Sequence, residues 1–323
     1  MAQLDSNIYP VVFFYNIVSF FGSVFLFPLV FSFFLSSRKR RENLLERLGL
    51  KGLPQKRANK NRLHKDKPIW VHALSVGEVF SAVELVDKLA RIKGRRKLLF
   101  SASTTTGYKL AAKILDSRVD TIFFYPYDLI FVVRKIIRRI DPSVFVLIES
   151  DIWPNMLFEL QRQEIPVILV NGRLSPKSFK RYRMLPGLLK PIVNAFSSVC
   201  VQSAQQAERF ERVGLLPEKI HVTGNIKFDR KPDSLAESEI NQLRKSLALS
   251  ENHRIFLAGS THPGEEEIIA EAFARLKTTF QELILILAPR DPRRADEICE
   301  FLGGRGWSVR KMHYRIEAKA DIT

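Results

Sequence analysis

IWVHALSVGE, residues 69–78, decides the reading of this chain. A short apolar run, too continuous to alternate, passes into small residues, a glycine and then a carboxylate, Glu78. A run of that kind predicts a strand covered on both faces, which is the habit of parallel sheets. The amphipathic stretch from residue 78 to 92 predicts a helix directly after it. Glu78 falls in the first turn of that helix, where the dipole favours negative charge, and Gly77 permits close backbone approach or an unusual turn.

Working outward, the same unit recurs. Strands are expected at residues 69–73, 97–101, 121–124, 144–148, 167–170, 199–201 and 220–222. Helices are expected at 78–92, 107–115, 129–139, 154–162, 185–195 and 204–213. A polar, proline-containing stretch at 229–238 ends this series, and a second begins. Its strands are expected at 255–258, 283–288 and 308–310, with helices at 264–279 and 292–302. The alternation predicts an α/β fold of two doubly wound, Rossmann-type units. The second series offers three strands where a nucleotide-binding half has about five or six. The closing residues, KADIT, look like the start of another strand, so the chain is expected to stop inside a domain.

The amino-terminal part is of a different character. No charged residue occurs between Ser6 and Ser37, and residues 11–35 are dense in Phe, Val, Leu and Ile. That length suffices for a membrane-spanning helix, which needs about 20 apolar residues. Pro28 would kink it, so a re-entrant or interfacial anchor is the other form such a segment takes. The cluster Arg38-Lys39-Arg40-Arg41 follows the apolar run, which orients the body of the protein to the cytoplasm. The expected division is a membrane anchor at 1–37, a basic linker at 38–67, and α/β domains at 68–230 and 231–323.

The formal net charge of +17 favours an anionic partner. Much of it lies in the linker, beside the anchor, which points to an anionic membrane surface. Nucleic acid is disfavoured, because the basic run is not interleaved with stacking aromatics and no nucleic-acid module signature occurs. Cys200 and Cys299 form no CxxC motif or Cys/His cluster, so neither zinc nor a disulfide framework is indicated. There is no GxxxxGK[ST] and no convincing GxGxxG, which argues against an NTPase or a dinucleotide oxidoreductase. No cofactor is expected. Glu149-Ser150-Asp151 faintly resembles a DxD metal site, but no second acidic cluster accompanies it, so no metal site is predicted.

Ligands of open α/β sheets bind beyond the carboxyl ends of the strands. Five such ends carry polar, glycine-containing or acidic turns: Ser75-Val76-Gly77-Glu78; Ser103-Thr104-Thr105-Thr106-Gly107; Glu149 to Asn155; Asn171-Gly172-Arg173-Leu174-Ser175; and Gly224 to Asp229, which includes Lys227. Singly, each has a plain structural explanation: Glu78 as a dipole-complementing residue, Glu149 as a cap, Lys227 as a solvated lysine. Their convergence on one sheet is what marks a site. In the second unit Ser260-Thr261-His262-Pro263-Gly264 opens a helix whose N–H groups suit a phosphate, although a simple N-cap explains it equally well. Pro289-Arg290 follows the next strand, where an arginine can grip phosphate.

At these motifs the sequence closely resembles the Kdo (3-deoxy-D-manno-octulosonic acid) transferases of lipopolysaccharide synthesis, inner-membrane enzymes of the GT-B fold. The shared elements are ERLG (46–49), HALSVGE (72–78), STTTG (103–107), ESDIWPN (149–155), NGRLS (171–175), GNIKFD (224–229), STHPGEE (260–266) and PRDP (289–292), together with the apolar amino terminus. The resemblance implies a GT-B-like fold with an incomplete second domain. It implies a CMP-Kdo donor and a lipid A precursor as acceptor, at the cytoplasmic side of the bacterial inner membrane. It assigns Glu78 as proton acceptor, Glu149 and Lys227 to transition-state stabilisation, and Pro289 and Arg290 to the first part of the CMP site. Ser75, Gly77, Arg173, Ser260 and His262 are further substrate-binding candidates. Asp291 stands where the family usually has histidine, and the family's DTMGEL-like, GGS and GGHNPLEP-like segments do not occur in these 323 residues. The 323-residue form is therefore expected to be inactive or poorly folded. Two other readings stand beside this one: a membrane-bound GT-B transferase using a UDP-sugar, and a non-catalytic lipid-binding module.

Overall fold

The structure is a computed structural model, and it describes residues 8–25, 43–52, 66–149, 152–229 and 236–312. Ser150, Asp151 and most of the basic linker lie outside the described residues. The chain divides into two compact units, Met1–Lys231 and Pro232–Thr323.

The first unit is built on seven parallel strands: β1 (Ile69–Ala73), β2 (Leu98–Ala102), β3 (Thr121–Phe124), β4 (Val144–Ile148), β5 (Val167–Gly172), β6 (Ser198–Val201) and β7 (Ile220–Val222). Their order across the sheet is β3-β2-β1-β4-β5-β6-β7. Ile69 sits in register with Leu98 on one side and with Val144 on the other, so β1 is central and wholly buried. Helices follow the strands: α1 (Ile8–Phe25) and α2 (Leu44–Arg47) precede the sheet, then come α3 (Val76–Ile92), α4 (Thr105–Ile114), α5 (Ile130–Ile140), α6 (Pro154–Arg162), α7 (Pro176–Arg183), α8 (Pro186–Val193) and α9 (Ala204–Arg212).

Successive side chains of a strand point to opposite faces, and β1 shows what that achieves. Val71 and Ala73 pack with Val79, Ala82, Val86, Phe100 and Ala111 beneath α3 and α4. Trp70 faces the other way, into a larger core with Phe123, Ile136, Phe145 and Leu160, beneath α5 and α6. The two cores sandwich the sheet, which is why its central strands are mostly apolar and were legible as runs.

The amino-terminal helix differs from a free anchor. α1 packs on α6 and α8, with Ile8, Val11 and Val12 buried. The Asn16 and Asn155 amides pair reciprocally at 2.7 and 3.1 Å, and Tyr9 meets Phe158 edge-on at 5.1 Å. Burial and the neighbouring Asp128 carboxylate push the Tyr15 phenol up to about 12. The opposite face exposes Phe13, Phe14, Val18, Phe21 and Phe25. Among the described residues, no helix is long and apolar enough to cross a membrane. The rest of the apolar stretch, residues 26–37, lies outside the described residues.

The second unit holds a parallel pair, β8 (Arg254–Thr261) and β9 (Leu283–Pro289), with α10 (Glu237–Ser246), α11 (Glu265–Thr279) and α12 (Ala295–Gly304). Its core is small: Ala270, Ile298 and Leu302, with Leu287, Phe301 and Trp307 against them. The strand expected at 308–310 is absent; those residues are irregular. A strand exists only by pairing, and among the described residues β8 and β9 pair with each other alone. The helices α7 and α10 were not anticipated.

Candidate active site

Strand order reverses between β1 and β4: β1 leads to β2 and β3 on one side, and β4 to β7 run on the other. Doubly wound sheets bind their ligands in the crevice at such a switch point, beyond the carboxyl ends of the strands. Glu78 follows β1 and Glu149 follows β4, so the two carboxylates flank it.

Glu78 is buried, at 8 % exposure. It is the third residue of α3, after an N-cap Ser75. Its carboxylate accepts the Leu74 N–H at 2.5 Å, and the Ser75 hydroxyl lies 3.4 Å away. The side chain thus curls back over the helix start, in the manner of a capping-box glutamate. The helix-start explanation and a place at the switch point are both realised in this one residue. Gly77 is exposed, keeps an ordinary φ, and a Cβ there would meet nothing within 4 Å. The expected need for an unusual turn or close approach within this unit is therefore not what puts glycine there.

The loop after β2 closes one wall. Ser103 and Thr104 donate their N–H groups to the Ala73 and Leu74 carbonyls at 3.3 and 3.0 Å. Thr104 caps α4 through the Gly107 N–H at 3.0 Å. Gly107 is required here, since a Cβ would lie 2.8 Å from Thr104 Oγ1 and 3.4 Å from the Ser75 backbone. The Arg47 guanidinium, from the ERLG motif, donates to the Ser103 carbonyl and sits over the Phe124 and Tyr127 rings at 5.3 and 5.4 Å. His72 lies beneath, fully buried and stacked on Tyr125 at 3.8 Å. Its Nδ1 is 3.0 Å from the Ser101 carbonyl, which only accepts, so Nδ1 carries the proton and Nε2 faces the Ser103 hydroxyl at 3.3 Å. Burial lowers its pKa to about 3, so it is a neutral structural imidazole.

The other wall holds the ion pair. Lys227 Nζ lies 2.9 Å from Glu149 Oε1, with the Glu149 side chain 14 % and the Lys227 side chain 43 % exposed. Glu149 adopts a left-handed φ of 67°, and its N–H donates to the Val170 carbonyl at 2.8 Å. Asn171, at the end of β5, is also left-handed (φ 60°) and buried. Its Oδ1 accepts the Ile226 N–H at 3.2 Å, which fastens the 3-10 turn Ile226–Phe228 to the sheet. That turn also packs on α3, and Lys88 reaches Asp229 at 3.8 Å. The helix bearing Glu78 and the turn bearing Lys227 are therefore neighbours. Arg173 is exposed just beyond β5, on the same edge.

In the second unit the candidates gather at the carboxyl ends of β8 and β9. Ser260 (φ 63°) and His262 are exposed, and the Arg290 N–H donates to the Thr261 carbonyl at 3.0 Å. Pro289 ends β9 and the Arg290 side chain is exposed. The His262 N–H is taken by Glu265 Oε2 at 2.7 Å, so at this bond the turn is closed by its own glutamate. Glu266 is buried and forked by Arg294 at 2.9 and 3.1 Å, with the Thr261 hydroxyl at 2.8 Å. Asp291 pairs with Arg293 at 2.7 Å, and that contact brings its carboxyl down to about 2. Among the described residues no three His, Cys, Asp or Glu side chains stand close enough to hold a metal ion.

Asp128 shapes the site region without having been singled out for it, and Asn171, expected only as part of the turn after β5, proves to anchor it to the Lys227 turn. Asp128 accepts the Asn155 and Met156 N–H groups at 3.0 and 2.9 Å, capping α6 from a remote loop. No local pattern betrays such a cap. The left-handed Asn171 was foreshadowed by Asn-Gly, a dipeptide that tolerates positive φ.

Comparison with known proteins accords with this geometry. The family model described as 3-deoxy-D-manno-octulosonic-acid transferase (kdotransferase) matches residues 42–230. A 3-deoxy-D-manno-octulosonic acid transferase of Haemophilus influenzae is 30 % identical over 281 residues, covering 85 % of this chain and 63 % of that protein. A bifunctional glycosyltransferase/methyltransferase of Fusobacterium nucleatum is 35 % identical over 237 residues, 73 % of this chain and 36 % of its own length. The chain thus spans about half the length of the curated relatives it matches. A glycosyltransferase structure from Rickettsia africae aligns with a TM-score of 0.52 at 15 % identity, over 74 % of this chain and 65 % of that one. A putative UDP-N-acetylglucosamine 2-epimerase from Listeria monocytogenes aligns at 0.54 and 13 %, over 74 % and 67 %. These two share the GT-B-like fold, and the fold alone. With the family model covering more than half of its residues, the chain belongs to the Kdo transferase family.

Proposed function

We propose that this protein is an inverting glycosyltransferase that moves Kdo from CMP-Kdo to a lipid A precursor. The observation that carries the reading is the Glu149–Lys227 pair at the switch point, beside the helix whose first turn carries Glu78. In the proposed reaction an acceptor hydroxyl attacks the anomeric carbon of the sugar. The new C–O bond forms as the bond from that carbon to the CMP phosphate breaks. The hydroxyl proton passes to the Glu78 carboxylate, a role worth about 10²–10⁴-fold in rate. Its bond to the Leu74 N–H orients that carboxylate. Lys227 faces the charge that develops on the departing phosphate, and Glu149 holds its ammonium in place. Attack opposite the leaving group inverts the centre without a covalent enzyme intermediate. The Arg290 turn and the 260–264 turn are the proposed CMP contacts, and Ser75, Gly77 and Arg173 the proposed acceptor contacts.

The exposed aromatic face of α1 supports attachment at the cytoplasmic face of the inner membrane, with α1 lying in the interface plane rather than crossing it. A lipid-borne acceptor would then reach the sheet edge without leaving the bilayer.

The test is Glu149→Gln in the full gene product, assayed for transfer of Kdo. Turnover should fall by about 10²-fold, the scale of one lost electrostatic contact to a transition state. Normal turnover would sink the assignment. A second donor class is favoured by one observation: a fold neighbour from Neisseria meningitidis was solved bound to UDP-GlcNAc. Competition by UDP instead of CMP would move this chain to that reading. Vesicle binding without turnover, unchanged by Glu78→Ala, would leave only a lipid-binding module.

A further inference from the structure

Between Glu164 and Glu208 the chain carries six basic residues and no acidic one. Four of the six, Lys177, Lys180, Arg181 and Arg183, lie on α7, and all four are exposed. None of them makes an ion pair with a described residue; Arg183 only rides over the Phe179 ring at 5.6 Å. The other side of α7 is fixed. Phe179 and Tyr182 pack against the main core, and Ser175 caps the helix through the Ser178 N–H at 3.1 Å. At the tip, between α7 and α8, Met184 is 73 % and Leu185 57 % exposed. α7 packs on α8, and α8 packs on α1, whose outer face carries the exposed phenylalanines. Helices α3 and α4, by contrast, cover the opposite face of the sheet.

A solvated basic helix normally finds acidic neighbours and has no reason to end in exposed apolar side chains. Here cations without an ion-pair partner among the described residues and an apolar tip occur together, one helix away from the helix with the exposed aromatic face. That combination matches the surface of an anionic bilayer, where cations meet headgroups while Met and Leu enter the boundary. We infer that the α7–α8 hairpin is a second membrane-docking element, specific for anionic headgroups, acting beside α1. The inference rests on the reading of the protein as membrane-associated, but not on α1 alone, on the identity of the sugar or on turnover. It makes attachment two-point, which would hold the switch-point edge in one orientation toward a lipid-borne substrate.

The experiment is co-sedimentation of the whole chain with vesicles of phosphatidylcholine, alone or mixed with phosphatidylglycerol. Binding to the neutral vesicles reads the apolar contacts, those of α1 together with the Met184–Leu185 tip; the gain on adding phosphatidylglycerol reads the cations of α7. Each basic residue near such a surface is worth about fivefold in partitioning. The variant Lys177→Gln, Lys180→Gln, Arg181→Gln, Arg183→Gln should therefore lose on the order of a hundredfold of that gain or more. Its binding to neutral vesicles should not change. A control with the same charge loss on the other face, Arg91→Gln, Arg95→Gln, Lys109→Gln, Lys113→Gln, should keep nearly all of the gain. The double variant Met184→Ser, Leu185→Ser keeps every charge and should weaken binding to both vesicle types, which tests the hairpin even if the fourfold variant fails to fold. An undiminished phosphatidylglycerol gain in the α7 variant, or an equal loss in the control, overturns the inference. Tighter retention of α7-intact protein by duplex DNA than by the mixed vesicles would assign the face to nucleic acid and also overturn it. Absence of binding to neutral vesicles, with the phosphatidylglycerol gain intact, would refute the role given to α1 and leave α7 standing.

Discussion

Glu149 is asked for two things that oppose each other, and replacing it separates them. Its backbone is left-handed (φ 67°), and its side chain holds Lys227 at 2.9 Å. For an L-residue the left-handed region costs about 1–2 kcal/mol, and glycine escapes it. Glu149→Gly therefore relieves about 1–2 kcal/mol, offset by about 0.5–1 kcal/mol of extra backbone entropy in the unfolded chain. Glu149→Ala relieves nothing. Both lose the ion pair, whose net contribution is at most about 1 kcal/mol because the Lys227 side chain is 43 % exposed. The glycine variant should thus be more stable than the alanine variant by about 0.5–1 kcal/mol. In a unit of this size that is about 1–4 °C in melting temperature. Urea midpoints and thermal melts on the same preparations measure it. In the full gene product both variants should lose transfer activity by about 10²-fold regardless of their stabilities. If the glycine variant is no more stable than the alanine variant, the backbone conformation attributed to Glu149 is wrong. If the two differ in activity in proportion to stability, the residue is structural and the mechanism proposed above has lost its pivot.

Asp128 sets a pH dependence. Burial raises its carboxyl to about 6, so the folded state binds that proton more tightly than the unfolded state, and this group's contribution to stability rises as pH falls from about 6 toward 4. His72 works oppositely: with its pKa lowered to about 3, it withdraws stability as pH falls through 6.5. Asp128→Asn should therefore make the acid-side loss steeper, by about 1 kcal/mol between pH 7 and pH 5 in urea titrations; an unchanged slope refutes the assignment. Asn16→Ala leaves the buried Asn155 Oδ1 without its partner, a loss of about 1–3 kcal/mol, read as a lower urea midpoint. Gly107→Ala drives a methyl to 2.8 Å from Thr104 Oγ1 and against the Ser75 backbone. It should cost about 1–3 kcal/mol and lower activity in the full gene product, whereas Gly77→Ala, with open space around it, should leave stability within about 0.5 kcal/mol.

How much of this was legible follows from what each feature depends on. The strands of the first unit were readable because a sheet covered on both faces needs continuous apolar runs, and Ile69–Ala73 is one. The helix after β1 was readable from its amphipathic stretch beginning at Glu78, although the helix itself starts two residues earlier, at Val76. The order of the strands was not, since spacing along the chain says nothing about which neighbour β4 chooses, and the switch point only exists once β4 lies beside β1. The packing of the amino-terminal helix was not legible, because Asn16, whose amide pairs with Asn155 on α6, and Tyr15, which meets Asp128, stand within a stretch that is apolar on every side. α7 was passed over because a basic segment with no buried residue has no apolar stripe, although Ser175 and Pro176 at its start are a usable N-terminal signal. The expected strand at 308–310 was an apolar residue between polar ones, with no described partner to pair it.

The two left-handed residues at the ends of β4 and β5 bear on why the site is where it is. Glycine takes that conformation at no steric cost, asparagine tolerates it, and glutamate is the costly occupant. Glu149 and Asn171 stand there instead, on adjacent strands, and their side chains converge on one target from two sides. Glu149 takes the Lys227 ammonium, and Asn171 takes the Ile226 N–H one residue earlier in the same turn. Glycine would relieve the backbone at either place and lose a contact that the turn needs. Strain retained at Glu149, beside an asparagine that tolerates the conformation, with a hold on the Lys227 turn from each, is not explained by packing, because the ion pair and the hydrogen bond fasten an exposed three-residue turn and not a core. It is what is expected of a sheet edge that must hold one ammonium still beside a crevice.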